Sequence, residues 1–180
     1  VKARREFLEQ GFYCELREQL CDTLKAALPE GSTIIDVGCG EGYYTSEISK
    51  ANNFEIFGID ISKDALKYAA KSVKNSSFAV ASAFSLPFAE GSADCVLSVF
   101  APSAYEEFYR VLKNNGKLIK AIPLEEHLWE LKCALYKEPY KNKAEKRNDE
   151  LFRLVSEKEI KYKIKLTEKE DIENLFKMTP

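Results

Sequence analysis

The chain has 180 residues, 45% of them hydrophobic and 31% charged, and a formal net charge of −2. A chain of this length suits one domain that buries roughly 70% of its unfolded surface. No run of about 18 apolar residues interrupts it and the N-terminus is charged where a signal peptide is apolar, which excludes a helical membrane span and leads us to expect a soluble, cytoplasmic protein.

The first helix is announced by Leu16, Leu20, Leu24 and Leu28 at four-residue spacing, with Phe12 one turn earlier. Gly11 separates it from a short basic lead containing Lys2, Arg4 and Arg5, and Pro29-Glu30-Gly31 ends it. Residues 33–37 are apolar and β-branched, as a central parallel strand should be. The turn Gly38-Cys39-Gly40-Glu41-Gly42 follows, then a helix over 43–50 with Tyr44, Ile48 and Ala51 inward, whose N-terminal amides favour a carboxylate. A second strand over 55–59 ends in Asp60, and Ser62 caps a helix over 63–74 with Leu66, Ala69, Ala70 and Val73 inward.

A third strand over 78–81 gives way to an apolar loop, 82–88, whose small and aromatic residues suit a flat base such as adenine. The fourth strand, 94–100, stops at Ala101-Pro102 because proline cannot continue the ladder. A helix over 104–113 with Phe108, Val111 and Leu112 inward, a turn at Asn114-Asn115-Gly116 and a fifth strand over 117–122 complete the alternation. Such alternation predicts a doubly wound parallel sheet with ligands at its C-terminal strand ends. Beyond it come a helix over 127–136, a polar loop over 137–150, an edge strand over 159–166 with one wet face, and a helix over 168–177 with Thr167 and Glu170 as a capping box.

The five cysteines, Cys14, Cys21, Cys39, Cys95 and Cys133, stand singly and His127 is the one histidine, so we read reduced thiols and expect no metal site. Residues 132–169 carry twelve Lys or Arg against seven Asp or Glu. That asymmetry hints at a polyanion-facing region, although such stretches are more often solvated surface.

A nicotinamide or flavin fingerprint reads Gly-x-Gly-x-x-Gly, and here the third glycine comes one residue early. The order Asp36-x-Gly38-x-Gly40-x-Gly42 matches instead the turn of class I methyltransferases, which hold S-adenosylmethionine. That ligand needs an acid for its ammonium, amides for its carboxylate, an acid for its ribose and an apolar slot for adenine. Asp36, the turn backbone, Asp60 and Ala83-Phe84 supply one each. The expected fold is α/β, a doubly wound, mostly parallel sheet of the class I methyltransferase (Rossmann-like) type. It forms one domain over 1–180, with a helical segment over 1–30, a cofactor-binding core over 33–122 and a substrate-side extension over 123–180. Ile61 and Val99, beside Asp60 and at the fourth strand's end, join Gly38, Cys39, Gly40 and Glu41 as cofactor-binding candidates.

The strings Ala3-Arg4-Arg5-Glu6-Phe7-Leu8, Gly11-Phe12-Tyr13, Asp36 through Thr45, Leu86-Pro87-Phe88, Ala101-Pro102, His127-Leu128-Trp129-Glu130-Leu131-Lys132 and Met178-Thr179-Pro180 resemble the bacterial large-subunit ribosomal RNA guanine-N1 methyltransferase family. The resemblance runs nearly end to end. It implies methyl transfer to N1 of a guanine in a ribosomal RNA hairpin, a modification that in one branch confers macrolide tolerance. It also implies that Tyr13, Gly40, Glu41 and His127 match cofactor-binding positions. The family normally begins with a zinc-binding module and continues past the final string through a last strand, so we expect a catalytic core or part of a longer protein. Ribosomal RNA is the expected partner, and the oligomeric state stays open, a dimer included.

The reaction is expected to be an in-line displacement for which the enzyme supplies near-attack geometry in a dry pocket. Guanine N1 must also lose a proton, and no residue is an evident base. The acceptor wall falls at Phe100, Ala101 and Pro102, without the Asn or Asp before Pro-Pro found where exocyclic amines are methylated. Two rival readings are a small-molecule methyltransferase of the quinone or polyketide type, which shares motifs such as 85–88 and 107–113, and a non-catalytic cofactor-binding domain.

Overall fold

A computed structural model describes residues 2–178 except 144, 146 and 149. Thr179 and Pro180 of the last family string lie outside the described residues. The chain opens with α1 (Lys2–Glu9) and α2 (Cys14–Ala27), turning between them at Gly11, φ +84°. It then runs β1 (Thr33–Val37), α3 (Tyr43–Ile48), β2 (Glu55–Asp60), α4 (Lys63–Ser72), β3 (Ser76–Val80), β4 (Ala93–Val99), α5 (Tyr105–Val111), β5 (Leu112–Ala121), α6 (Trp129–Leu135) and α7 (Lys169–Met178). Every strand pairing is parallel, in the order β3-β2-β1-β4-β5. The chain therefore reverses direction across the sheet between β1 and β4, and the switch point at their carboxyl ends is where such sheets carry a ligand crevice.

Alternation along β1 divides the core. Ile34 points into a cluster with Phe7, Leu16, Leu20, Leu24, Tyr44, Ile48 and Leu175, on the face covered by α1, α2, α3 and α7. Ile35 and Val37 point the other way, into a cluster with Val96, Phe108, Val111 and Leu112. With both faces covered, the central strands β1 and β4 have almost no wet positions, as buried parallel strands require.

The expected elements through residue 136 form, with boundary shifts that have local causes. The helix over 63–74 ends at Ser72, and Ala65 rather than Ala70 completes its buried face. Ser62 does cap it, its hydroxyl accepting from the Ala65 amide at 3.3 Å. The turn expected at Asn114-Asn115-Gly116 is absorbed into β5 as a bulge: Ala93 pairs with Leu112 and Cys95 with Lys117, while Asn115 takes φ +64°.

The edge strand expected over 159–166 does not form; the stretch has no ladder partner. Its alternation is satisfied differently, because Ile160, Ile164 and Leu166 pack on the α1–α2 side of the core without joining the sheet. The Thr167 hydroxyl lies 3.5 Å from the Glu168 carboxylate, in place of the expected capping box with Glu170. Among the described residues no helix is long and apolar enough to cross a membrane.

Candidate functional site

The glycine turn is fastened to the neighbouring strand. The amides of Gly38 and Cys39 both donate to the Ile59 carbonyl, at 2.7 and 3.1 Å, and the Gly40 amide donates to the Asp60 carboxylate at 2.9 Å. The other Asp60 oxygen accepts from the Ser62 amide at 2.8 Å. These three turn amides, expected among the donors to a ligand carboxylate, are thus engaged by β2 and its carboxyl end. Gly38, Gly40 and Gly42 all have positive φ, and a Cβ on Gly38 would stand 2.6 Å from that of Ala101. The turn from β1 therefore touches the end of β4 directly.

Asp36 sits beneath the turn, 2% exposed, accepting a 2.6 Å hydrogen bond from the Thr45 hydroxyl. Burial pushes its carboxyl up to about 6, against the pull of Thr45 and of Arg4 nearby. Arg4, from α1, reaches over the turn: its guanidinium carbon would lie 3.8 Å from a Cβ on Gly40. Its Nε is buried without a hydrogen bond and stands 3.8 Å from Glu41, whose own Oε1 is likewise buried and unpartnered. Arg4 and Glu41 thus form an ion pair at the turn in which one buried polar atom of each side chain lacks a hydrogen bond. In the sequence Arg4 stands in a basic lead and in one of the family strings with no role attached; no periodicity could have placed it over a turn so far along the chain.

The end of β4 carries an aromatic wall. Phe100 leaves the strand with φ +53° and keeps 38% of its surface exposed. The His127 ring stacks on it, centroids 5.6 Å apart and planes at 28°, while Tyr13 meets Phe100 edge-on at 6.1 Å. The Tyr13 hydroxyl and His127 Nε2 are 3.4 Å apart. Burial, helped by the charge of Lys132, holds the imidazole below its usual value and so neutral near pH 7. Burial also pushes the Tyr13 phenol up to about 12, with Arg4 pulling the other way.

Among the other expected site residues, Ile61 and Phe84 are strongly exposed and Ala83 and Asp60 half-buried. Ala101 is half-buried and Pro102 exposed beyond the wall. Two candidates do not present side chains to the crevice: Val99 is packed in the core, and the Cys39 thiol is buried against Gly58 of β2, where burial drives its pKa upward. The 132–169 cations whose partners are known turn to local groups rather than to the glycine turn. Lys132 is buried, bonding Asn142 at 2.6 Å, Lys158 reaches Gln19 of α2, and Lys141 pairs with Glu126 at 2.7 Å.

A family described as methyltransferase domain matches residues 28–177. The chain is 40% identical over 134 residues to a Bacillus subtilis (strain 168) protein, YxjB, named provisionally as a 23S rRNA (guanine-N(1)-)-methyltransferase, covering 71% of this chain and 48% of that one. It is 34% identical over 139 residues to the 23S rRNA (guanine(748)-N(1))-methyltransferase of Streptomyces fradiae, covering 75% of this chain and 50% of that one. The chain thus spans about half the length of these relatives. A solved TehB-like SAM-dependent methyltransferase from Corynebacterium glutamicum, 21% identical, superposes with a TM-score of 0.51 over 57% of this chain and 61% of that one, a likeness of fold alone. With the sheet order, the glycine turn and these likenesses in place, the chain belongs to the methyltransferase domain family and has its class I, Rossmann-like α/β fold.

Proposed function

We propose that this chain binds S-adenosylmethionine over the glycine turn and places its methyl group on N1 of a guanine in large-subunit ribosomal RNA. The residues present fit that cofactor: at the glycine turn the Arg4 Nε and the Glu41 Oε1 are both buried without a hydrogen bond, and Asp36 lies buried beneath. Arg4 takes the carboxylate, Asp36 and Glu41 face the ammonium, and Asp60, whose oxygens keep lone pairs beyond the two amides they accept, holds the ribose diol. Ile61, Ala83 and Phe84 cover the adenine. Bound there, the cofactor supplies an electrophilic methyl group.

The observation that carries the acceptor assignment is the wall at the end of β4. Phe100 offers an exposed ring for a flat base, with Tyr13 and His127 fixing its orientation. The neutral imidazole of His127 is a proton acceptor for the hydrogen that guanine N1 must lose. A guanine drawn from a stack reaches this wall at a cost of about a few kcal/mol. The rRNA names of the two curated relatives support the same reading.

The test is methyl transfer from labelled cofactor to ribosomal RNA taken from cells lacking the protein, followed by mapping of the modified nucleotide. Label on N1 of one guanine is expected; label in a small-molecule extract and none in RNA would overturn the assignment. One observation favours that second, small-molecule reading: Lys132, Lys141 and Lys158 are engaged by Asn142, Glu126 and Gln19.

A further inference from the structure

Beside the acceptor wall lies a polar cluster that the cofactor site does not use. Ser103 follows Pro102 directly, and Lys120 lies on β5 where its backbone pairs with Ser98 of β4. The Phe100 amide donates to the carbonyl of Ala121, the next residue along, at 2.9 Å, so cluster and wall share one stretch of backbone. The Lys120 ammonium, on a side chain only 13% exposed, contacts the Ser103 hydroxyl and the Tyr105 hydroxyl, the latter at 3.2 Å, and stands 4.7 Å from the centre of the Tyr105 ring.

Lys120, Ser103 and Tyr105 converge on a single oxygen, Oε1 of Glu145, with Tyr105 donating at 3.0 Å. Three donors, one of them cationic, gripping one oxyanion is the arrangement by which proteins hold phosphate oxygens. Burial works against the charged form of Glu145, yet these hydrogen bonds hold its carboxyl below the usual range. The carboxylate comes from the polar stretch between α6 and α7, whose described residues form no helix or strand. The donors, by contrast, stand on the rigid sheet and at the entry to α5. Lys120 and Tyr105 thus belong to β5 and α5, whereas Glu145 lies in no helix or strand.

We propose that Lys120, Ser103 and Tyr105 form a receptor for one backbone phosphodiester of the substrate RNA, and that Glu145 occupies it until RNA arrives. The proposal rests on the RNA reading of the acceptor site. A phosphodiester carries one negative charge and acceptor oxygens, the same chemistry as the carboxylate it displaces. Binding beside Pro102 would position the nucleotide chain next to the Phe100 wall, and the Glu145 contact would lower affinity for RNA that cannot displace it.

Equilibrium binding of a fluorescently labelled oligouridylate to the full chain tests this, because that probe has phosphates but no guanine to methylate. Glu145→Gln keeps the size of the side chain and removes its charge, and is expected to bind the probe about tenfold more tightly. Lys120→Ala should bind more weakly and lower the slope of log K against log salt by about 0.7, the share of one phosphate contact on a single strand. The double variant should behave as Lys120→Ala alone. If Glu145 only tethers its loop, Glu145→Gln will melt earlier with unchanged or weaker probe binding and the salt slope will not move with Lys120; either result overturns the proposal. Failure of the RNA reading shows elsewhere, as absence of label in ribosomal RNA with the unaltered chain.

Discussion

The hydroxyl of Tyr13 stands 3.4 Å from Nε2 of His127, joining residues 114 positions apart across the end of β4. The contact holds the imidazole against Phe100. Tyr13→Phe keeps the packing and loses the polar contact, so the fold should weaken by about 0.5–1.5 kcal/mol at most. Methyl transfer should fall further than stability does, with the loss in kcat rather than in cofactor affinity. Thermal melts, calorimetry and initial rates on one preparation separate these effects.

Asp36 gives a pH signature. Its carboxyl is pushed up to about 6 from an ordinary 3.8, so the folded chain holds this proton more tightly than the unfolded chain does. The stability this contributes is complete below the unfolded value and is lost as pH rises through about 6. Without ligand, Asp36→Asn should therefore be more stable than the unaltered chain at pH 7.5, by about 1–3 kcal/mol, with the gap closing as the pH is lowered to 4. Affinity for S-adenosylmethionine should drop about 10- to 100-fold in the same variant, because the ammonium loses a charged partner. Denaturant curves at the two pH values and calorimetry check both halves.

Arg4 is assigned to the cofactor's carboxylate because the Gly38, Cys39 and Gly40 amides are already engaged. Arg4→Met should weaken S-adenosylmethionine binding about tenfold or more while leaving the affinity for its decarboxylated analogue nearly unchanged. Equal losses for the two ligands, measured by calorimetry, would remove Arg4 from that role.

Phe100 holds a left-handed backbone, φ +53°, at a cost of about 1–3 kcal/mol for a non-glycine residue. Phe100→Gly relieves that strain and removes the ring. Stability should stay within about 1 kcal/mol of the unaltered chain, because strain relief offsets lost contacts. Activity on the acceptor should fall roughly tenfold or more, the value of one base–aromatic stack. Cofactor affinity, read by calorimetry, should hold.

Local signals carried most of the fold. β1 is bounded by Ser32 and Gly38, the Ser62 cap announces α4, and leucines at four-residue spacing define α2, so each could be read from a few neighbouring residues. Where the structure departed, a distant partner decided. Ile160, Ile164 and Leu166 alternate as a strand does, but burial against α1 and α2 satisfies that pattern without a ladder. The acids Asp36 and Asp60 were legible because their spacing from the glycines is local. Arg4 and the Lys120–Glu145 contact were not, since each depends on chain segments that only the folded arrangement brings together.

The two ends of the described chain lie side by side. Helix α1 runs along α7, Asn174 meets Glu6 at 3.5 Å, and Leu175 shares the cluster of Phe7. Three residues before that phenylalanine stands Arg4, over Gly40. A ligand seated on the turn and gripped by Arg4 therefore has thermodynamic leverage on α1 and, through their packing, on α7. Saturating the site should slow amide exchange in α1 and, through it, in α7, far from any atom the ligand touches. Binding at the turn would then be felt in both helices.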